Sequence, residues 1–279
     1  MNRLYRKHSS LEKALGIGSY SMYFSGGLDT WRNPNGSRNC TRPQTTQETF
    51  GDMDNAAQTV QGSRPILVWD LPTRLFHWLL VALVTASFAS GKIGGNAMWY
   101  HERCGEAILA LLIFRLVWGF IGSTPSRFRT FLAGPSTVVR YALTLFRREP
   151  DHHLSHNPLG GWSVVAMLLV LFVQAGTGLF ANDDIATQGP LYKWVSKAVS
   201  DRLTSIHHLN HDVIIALVAV HVAAVLFHLI YKRENLITPM ITGIKHWPSD
   251  FSEDTSQQPF WLAAMVAVIA AAAVYLLVQ

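Results

Sequence analysis

Charged residues are scarce in this sequence, and their scarcity limits the class of protein that it encodes. Asp, Glu, Lys and Arg make up 15% of the 279 residues, whereas an ordinary globular domain contains about a quarter. Hydrophobic residues reach 49%, and they occur in long runs rather than on helical stripes. This pattern argues against a water-soluble domain and predicts an integral membrane protein.

Cysteine is also scarce, and it occurs only as Cys40 and Cys104. Neither a CxxC nor a CxxCH motif is present, which argues against a zinc knuckle and against covalently attached c-type haem. Cys104 is predicted to pack as a small apolar residue. The formal net charge is +5, but the basic residues cluster in a few loops. They therefore indicate membrane topology and no nucleic-acid partner.

Residues 1–64 lack the apolar core of a signal peptide. They are rich in Ser, Asn, Gln, Gly, Thr and Arg and show no apolar periodicity. One interpretation is a disordered tail. The other is that the start codon is assigned too far upstream and that translation begins at Met53, which precedes a short lead-in to the first apolar segment.

Five apolar segments follow, and each is long enough to cross a bilayer, which takes roughly 20 residues. They are residues 75–91, 101–122, 161–181, 206–231 and 260–278. Each must be helical, because lipid offers no partner to free backbone groups. The sequence thus predicts an all-α integral membrane protein. A four-helix transmembrane bundle occupies residues 65–248, and a linker with a fifth, C-terminal transmembrane helix occupies residues 249–279.

The distribution of basic residues predicts the orientation in the membrane. The segments assigned to the cytoplasm carry Arg64, Arg74, Arg127, Arg129, Arg140, Arg147, Arg148, Lys232, Arg233 and Lys245. The opposite loops carry fewer: Lys92, Arg103, Lys193, Lys197 and Arg202, offset by Asp183, Asp184 and Asp201. We therefore predict a cytoplasmic N-terminus and, after five spans, a C-terminus on the outer side of the membrane.

Histidines are concentrated in the fourth apolar segment, where an imidazole without a partner is costly. His207 and His221 are 14 residues apart, so they share one side of a helix and lie roughly 21 Å apart along it. This spacing predicts two separate ligand sites, one near each membrane face. His77 matches the depth of His221, and His101 matches that of His207. Four histidines on three helices are typical of a bundle that holds two haems, each between two imidazoles.

Other histidines leave alternatives open. His211 lies one turn from His207 and competes with it as the ligand on the outer side. His208 is predicted to be an interfacial polar residue. His228 is interpreted as a haem propionate contact, a quinone-site residue or a plain interfacial residue. The loop at residues 152–163 contains His152, His153 and His156, but no cysteine or spaced acid completes a metal site there. Its Asn-Pro and Gly-Gly pairs predict a tight turn into the third span.

Two arginines lie near the predicted ligands. Arg115 is 14 residues after His101, on the same helix face but at the inner level. A lone arginine within a span usually has a partner, and a haem propionate or a helix-end carbonyl would serve. Arg74 lies one turn before His77, where it would contact the same haem's propionates or extend to the lipid headgroups. Gly105 would let a flat macrocycle approach the helix, or would simply favour helix packing.

Residues Val68 to Pro248 resemble the family of prokaryotic cytochrome b561 and nickel-iron hydrogenase b-type cytochromes. The segments that carry the resemblance are VWDLPTRLFHW, HERCGEAILALLIFRLVWGFIGS, SRFRTF, SHNPLGG, TGLF, HVAAVLFH and KRENLITPMITG. The resemblance implies a four-helix cytochrome of the bacterial inner membrane with two b haems, and it puts the ligand positions on His77, His101, His207 and His221. The outer side, which the C-terminus is predicted to reach, would then be the periplasm. Where the family has a histidine-glutamate pair at the start of the fourth span, this chain has His207 and His208.

The expected function is respiratory one-electron transfer between the quinone pool and a partner redox protein, either a c-type cytochrome or a hydrogenase-like protein. Whether the chain is itself an enzyme, and whether it forms a homodimer, stays open. A second hypothesis is a stand-alone quinol- or superoxide-dependent oxidoreductase, with His228, Arg115 or Gln174 in a quinone site. A third is a small-ion transporter or assembly factor that binds no haem.

Overall fold

The computed structural model describes residues 63–148, 153–185, 187–248 and 255–279. In chain order its helices and strands are β1 (Ser63–Leu67), α1 (Leu71–Ile93), α2 (Met98–Ile121), α3 (Phe128–Phe131), α4 (Pro135–Thr144), α5 (Pro158–Gly178), α6 (Lys197–Ile230), α7 (Ile237–Thr242), β2 (Ile244–Pro248) and α8 (Phe260–Leu277). Five helices, α1, α2, α5, α6 and α8, are long and apolar enough to cross a membrane. The predicted all-α membrane bundle with a fifth span is therefore confirmed. The predicted tail lies outside the described residues, apart from its last two, which belong to β1.

Polar side chains fix where the spanning helices begin. Asp70 caps α1 by accepting a hydrogen bond of 2.9 Å from the Thr73 amide, and its second oxygen accepts one of 3.0 Å from the Trp118 indole on α2. Asn157 caps α5 by accepting a bond of 2.7 Å from the Gly160 amide. Such caps satisfy amide groups that have no partner within the helix.

Helix α6 is longer than the sequence predicts. It begins at Lys197, nine residues before the expected start at 206, and its 34 residues extend about 51 Å at 1.5 Å per residue. A bilayer core is only about 30 Å thick, so the first turns extend beyond it. Those turns are polar and include an ion pair of 2.8 Å between Lys197 and Asp201. A search for apolar runs therefore misses them.

The core lies around α2, which packs against α1, α5 and α8. Leu112 and Trp118 on this helix are fully buried. The fifth span joins the same core through Ala263, Val266 and Ala270, whose spacing puts them on one helix face. The C-terminal helix is thus packed against the bundle through small side chains.

A two-stranded antiparallel sheet covers one end of the bundle, an addition to the helices that the sequence predicts. β1 pairs with β2, with Ser63 opposite Pro248, and the amide of Val68 donates to the carbonyl of Gly243 at 2.8 Å. Gly243 has a φ of +85°, a conformation that favours glycine. We call this end of the bundle the sheet end, and we call the opposite end, which carries residues 179–196, the loop end.

Candidate haem sites

The structure brings His77 and His221 together near the sheet end. His77 lies on α1 and His221 on α6, and their ring centroids are 6.5 Å apart with 51° between the ring planes. Both line a cavity of about 560 Å³ whose walls are mostly apolar. The Nδ1 atom of His77 is buried and has no hydrogen-bond partner among the described residues.

A second pair lies near the loop end. His101 on α2 and His207 on α6 have ring centroids 6.0 Å apart, with 79° between their planes, and they line a cavity of about 340 Å³. The Nδ1 group of His101 donates to the carbonyl of Ser87 at 2.8 Å. The Nδ1 group of His207 donates to the carbonyl of Gln174 at 3.0 Å. These bonds leave the lone pair on Nε2 of each ring, as a metal-binding imidazole requires.

One contact must change if His207 binds a metal. The side-chain amide of Gln174 lies 3.1 Å from Nε2 of His207, and Asn210 holds the oxygen of that amide with a bond of 2.8 Å. The contact is consistent with the same tautomer, because an Nε2 lone pair accepts from the amide. Binding a metal through Nε2 therefore requires the Gln174 amide to turn aside.

The spacing within each pair fits two axial ligands of one haem iron. Two metal–imidazole bonds of about 2 Å each, together with the half-width of each ring, give a centroid separation of roughly 6 Å across one iron. Both observed separations are close to this value. Within the described ranges, no group of three or more His, Cys, Asp or Glu side chains is arranged to hold a bare metal ion. Both cavities are of a size usual for organic ligands.

Two glycines make room for the loop-end rings. A Cβ atom added at Gly91 on α1 would lie 2.9 Å from Nδ1 of His101, and one added at Gly178 on α5 would lie 3.1 Å from Cε1 of His207. Gly105 differs, because it lines the loop-end cavity and its added Cβ would meet no atom within 4 Å apart from its chain neighbours and the adjacent backbone of α2. The ring of His101 thus lies close to the backbone of α1 at Gly91, and the ring of His207 lies close to the backbone of α5 at Gly178.

The two predicted arginines have different surroundings. Arg115 lines the sheet-end cavity and is only 3% exposed. Its guanidinium carbon is 5.0 Å from the Phe128 ring centroid, and its Nη1 atom has no hydrogen-bond partner in the described part of the chain. Arg74 donates from Nη1 to the carbonyl of Ile241 at 2.6 Å. This carbonyl is a partner that the sequence analysis does not anticipate for Arg74.

The competing histidines are arranged differently from the pairs. His211 stacks on Phe88 with centroids 4.6 Å apart, and its Nδ1 atom lies 2.9 Å from a carboxylate oxygen of Asp212. His211 and His208 line the loop-end cavity, but the ring beside His101 is that of His207. His228 is buried, with its Nε2 atom 3.2 Å from the Asn157 amide nitrogen.

Sequence reasoning missed His156, which it assigned to a turn. The structure buries this ring between Trp69 and Phe131, with centroids 4.9 Å and 4.6 Å away, and puts it on the wall of the sheet-end cavity. Burial, followed by the charges of Arg115 and His221, lowers the pKa of His156 to about 3. The imidazole is therefore neutral at physiological pH. Its neighbours come from distant segments, so no local pattern marks it.

Comparison with known proteins places the chain among membrane cytochromes. A family model described as prokaryotic cytochrome b561 matches residues 68–243, which include all four paired histidines. A probable Ni/Fe-hydrogenase B-type cytochrome subunit of Rhizobium leguminosarum bv. viciae is 26% identical over 71% of this chain and 96% of its own length. A probable subunit of the same kind from Rhodobacter capsulatus is 21% identical over 69% and 86% of the two chains.

A probable Ni/Fe-hydrogenase 1 B-type cytochrome subunit of Escherichia coli K12 is 24% identical over 64% of this chain and 89% of its own length. No solved structure shows a significant match.

Proposed function

Because the chain belongs to the prokaryotic cytochrome b561 family, we propose that it is a di-haem cytochrome carrying single electrons between the quinone pool and a hydrogenase-like partner. Membership in the family already makes it a membrane b-type cytochrome that transfers electrons. The number of haems, their ligands and both redox partners are the proposal. The observation that carries it is that two pairs of imidazoles have centroids 6.0 Å and 6.5 Å apart. Each pair has one member on α6, His207 towards the loop end and His221 towards the sheet end.

The four histidines would each supply one ligand: His77 and His221 at the sheet end, His101 and His207 at the loop end. A haem held in this way supplies an iron that gains and loses one electron. With one imidazole of a pair bound on each side, such a haem would transfer electrons rather than bind a substrate at the metal. The bonds from His101 to Ser87 and from His207 to Gln174 keep the rings oriented, and oriented rings favour a stable ligand set.

Arg115 would bind a propionate of the sheet-end haem, because its guanidinium lines that cavity with a free Nη1 atom. A buried guanidinium needs a partner, and a carboxylate matches its geometry. A propionate contact for Arg74 stays a prediction alongside its observed bond to Ile241. The apolar remainder of the cavity would exclude water from the haem and influence its reduction potential.

The proposed partner follows from the relatives, which are named as probable Ni/Fe-hydrogenase cytochrome subunits. In native membranes supplied with hydrogen, we expect reduction of b haem, followed by reoxidation when a quinone analogue is added. Deleting the gene for this chain should abolish both signals. Reduction of the b haem by a c-type cytochrome but not by hydrogen would show that the partner is that cytochrome and not a hydrogenase. Quinol oxidation by the purified chain alone would support a stand-alone oxidoreductase.

The proposed orientation in the bacterial inner membrane can be tested with fusions. The sheet end carries most of the basic residues, so we expect it to face the cytoplasm. Alkaline phosphatase fused after Gln279, following five spans, should be active because it reaches the periplasm. The same enzyme fused to a chain truncated after Pro248, following four spans, should be inactive. The reverse pattern would show that the sheet end faces the periplasm.

The first test of the haem sites is a dithionite-reduced minus oxidised spectrum of the purified chain, with haem counted as the pyridine haemochrome. We expect two b haems per chain. One haem would leave one histidine pair wrongly assigned. A chain that holds none after expression with ample haem would contradict the proposal and favour a transporter or an assembly factor.

A further inference from the structure

Besides the proposed ligands His77 and His221, three basic side chains from separate parts of the chain line the sheet-end cavity. Arg115 comes from α2, His156 from the turn before α5, and Lys245 from β2. Most of the other residues that line this cavity are apolar. Donor groups that converge on an apolar cavity typically fix the orientation of a ligand.

Lys245 already has partners, whereas each of the other two has a nitrogen without one among the described residues. The ammonium group of Lys245 lies 2.9 Å from a carboxylate oxygen of Glu234 and 2.9 Å from the carbonyl of His153. By contrast, Nη1 of Arg115 and Nδ1 of His156 are buried, and within the described segments neither has a hydrogen-bond partner. A buried polar group without a partner is unfavourable, and a ligand group within the cavity would give each of these two nitrogens a partner.

We propose that His156 and Arg115 together bind a carboxylate of the sheet-end haem, with His156 donating from Nδ1 and Arg115 from Nη1. This inference rests on the proposed function, which assigns a haem to that cavity. The group that fits is an anion, because a guanidinium and an imidazole N–H both donate and neither offers the other an acceptor. The turn that contains His156 would thereby become part of the haem site.

The direct test is a redox titration of the purified cytochrome with His156→Phe, which fills a similar volume but cannot donate. Losing a donor to a carboxylate leaves more negative charge beside the iron, so the ferrous state is disfavoured. We expect the sheet-end haem, identified as the one affected by His77→Ala, to become about tenfold harder to reduce, a fall of about 59 mV for a one-electron couple. The loop-end haem should keep its potential.

A second variant and a matched control separate binding from folding. His156→Gln keeps an N–H donor and should restore most of the potential. His153→Phe is the control, since His153 lies in the same turn but its ring is beside Tyr141, 5.9 Å away, and it is not among the residues lining the cavity. Reduced-minus-oxidised infrared spectra with haem labelled with ¹³C at its carboxyl groups should show a shifted carboxylate band only in His156→Phe.

The outcomes distinguish this inference from the proposed function. Two haems with unchanged potentials and unchanged carboxylate bands in His156→Phe would overturn the role of His156 and leave the di-haem proposal intact. Absence of haem from the unsubstituted chain would overturn both. If His156→Phe fails to fold, His156→Gln, which still donates, becomes the test. In that variant, a potential outside the wild-type range together with an unchanged carboxylate band would contradict the inference.

Discussion

Single substitutions of the four paired histidines should each abolish one low-spin haem and leave the other. In His77→Ala and in His221→Ala, we expect the sheet-end haem to be lost or to become high-spin, because one of its two imidazole ligands is missing. In His101→Ala and in His207→Ala, the loop-end haem should be affected instead. The measurement is the number of low-spin haem signals in electron paramagnetic resonance spectra, together with the haem content per chain.

Double substitutions make this prediction sharper, because they test which ligands are partners. The His77→Ala/His221→Ala chain removes both ligands of one haem and should keep one low-spin signal. The His77→Ala/His207→Ala chain takes one ligand from each haem and should keep none. The opposite result would mean that the histidines pair otherwise than their 6.0 Å and 6.5 Å separations indicate.

His211→Ala and His208→Ala are the matched controls, since both residues line the loop-end cavity. We expect each variant to keep two low-spin haems. His211 packs on Phe88 and lies beside Asp212, so its substitution should affect packing more than haem content. Loss of the low-spin signal of the loop-end haem in His211→Ala, with retention of that signal in His207→Ala, would show that His211 and not His207 is the ligand.

The positions of the paired histidines were accessible from the sequence because helix geometry is regular. Residues 14 apart must share a side of α6, and the depth of His77 and His101 followed from the bounds of the spans and the lysine and arginine counts. The structure brings together the residues that this argument pairs. The extended start of α6 at Lys197 was not accessible, because its polar turns carry no apolar signal.

The surroundings of the site depend on contacts between distant segments, which local patterns do not reveal. His156 becomes buried only because Trp69 and Phe131 pack around it. Arg74 bonds to Ile241 because residues after α6 return to the start of α1. The same return of the chain allows β1 to pair with β2. Sequence spacing along one helix predicts which residues share a face, but it does not predict which carbonyl or ring from another segment will meet them.

Adding one methyl group at Gly91 or Gly178 should weaken loop-end haem binding at least tenfold, or about 1.4 kcal/mol. A Cβ atom at Gly91 would lie 2.9 Å from Nδ1 of His101, and the bond of that nitrogen to Ser87 prevents the ring from moving away freely. We expect Gly91→Ala and Gly178→Ala to show a lower content of the loop-end haem, measured by haem titration of the purified chains, with the sheet-end haem unchanged.

The sign of this effect separates a haem role from ordinary helix packing. Alanine is more favourable than glycine within a helix by up to about 1 kcal/mol, so a glycine without a specific contact should tolerate the change. Gly176→Ala is the control, because its added Cβ would meet no atom within 4 Å apart from its chain neighbours and the adjacent backbone of α5; it should keep both haems. Equal haem affinity in all three variants would show that neither ring needs the space beside it. Loss of the loop-end haem in Gly91→Ala and Gly178→Ala, but not in Gly176→Ala, would mean that the contacts of α1 with His101 and of α5 with His207 set the separation at which the two rings bind one iron.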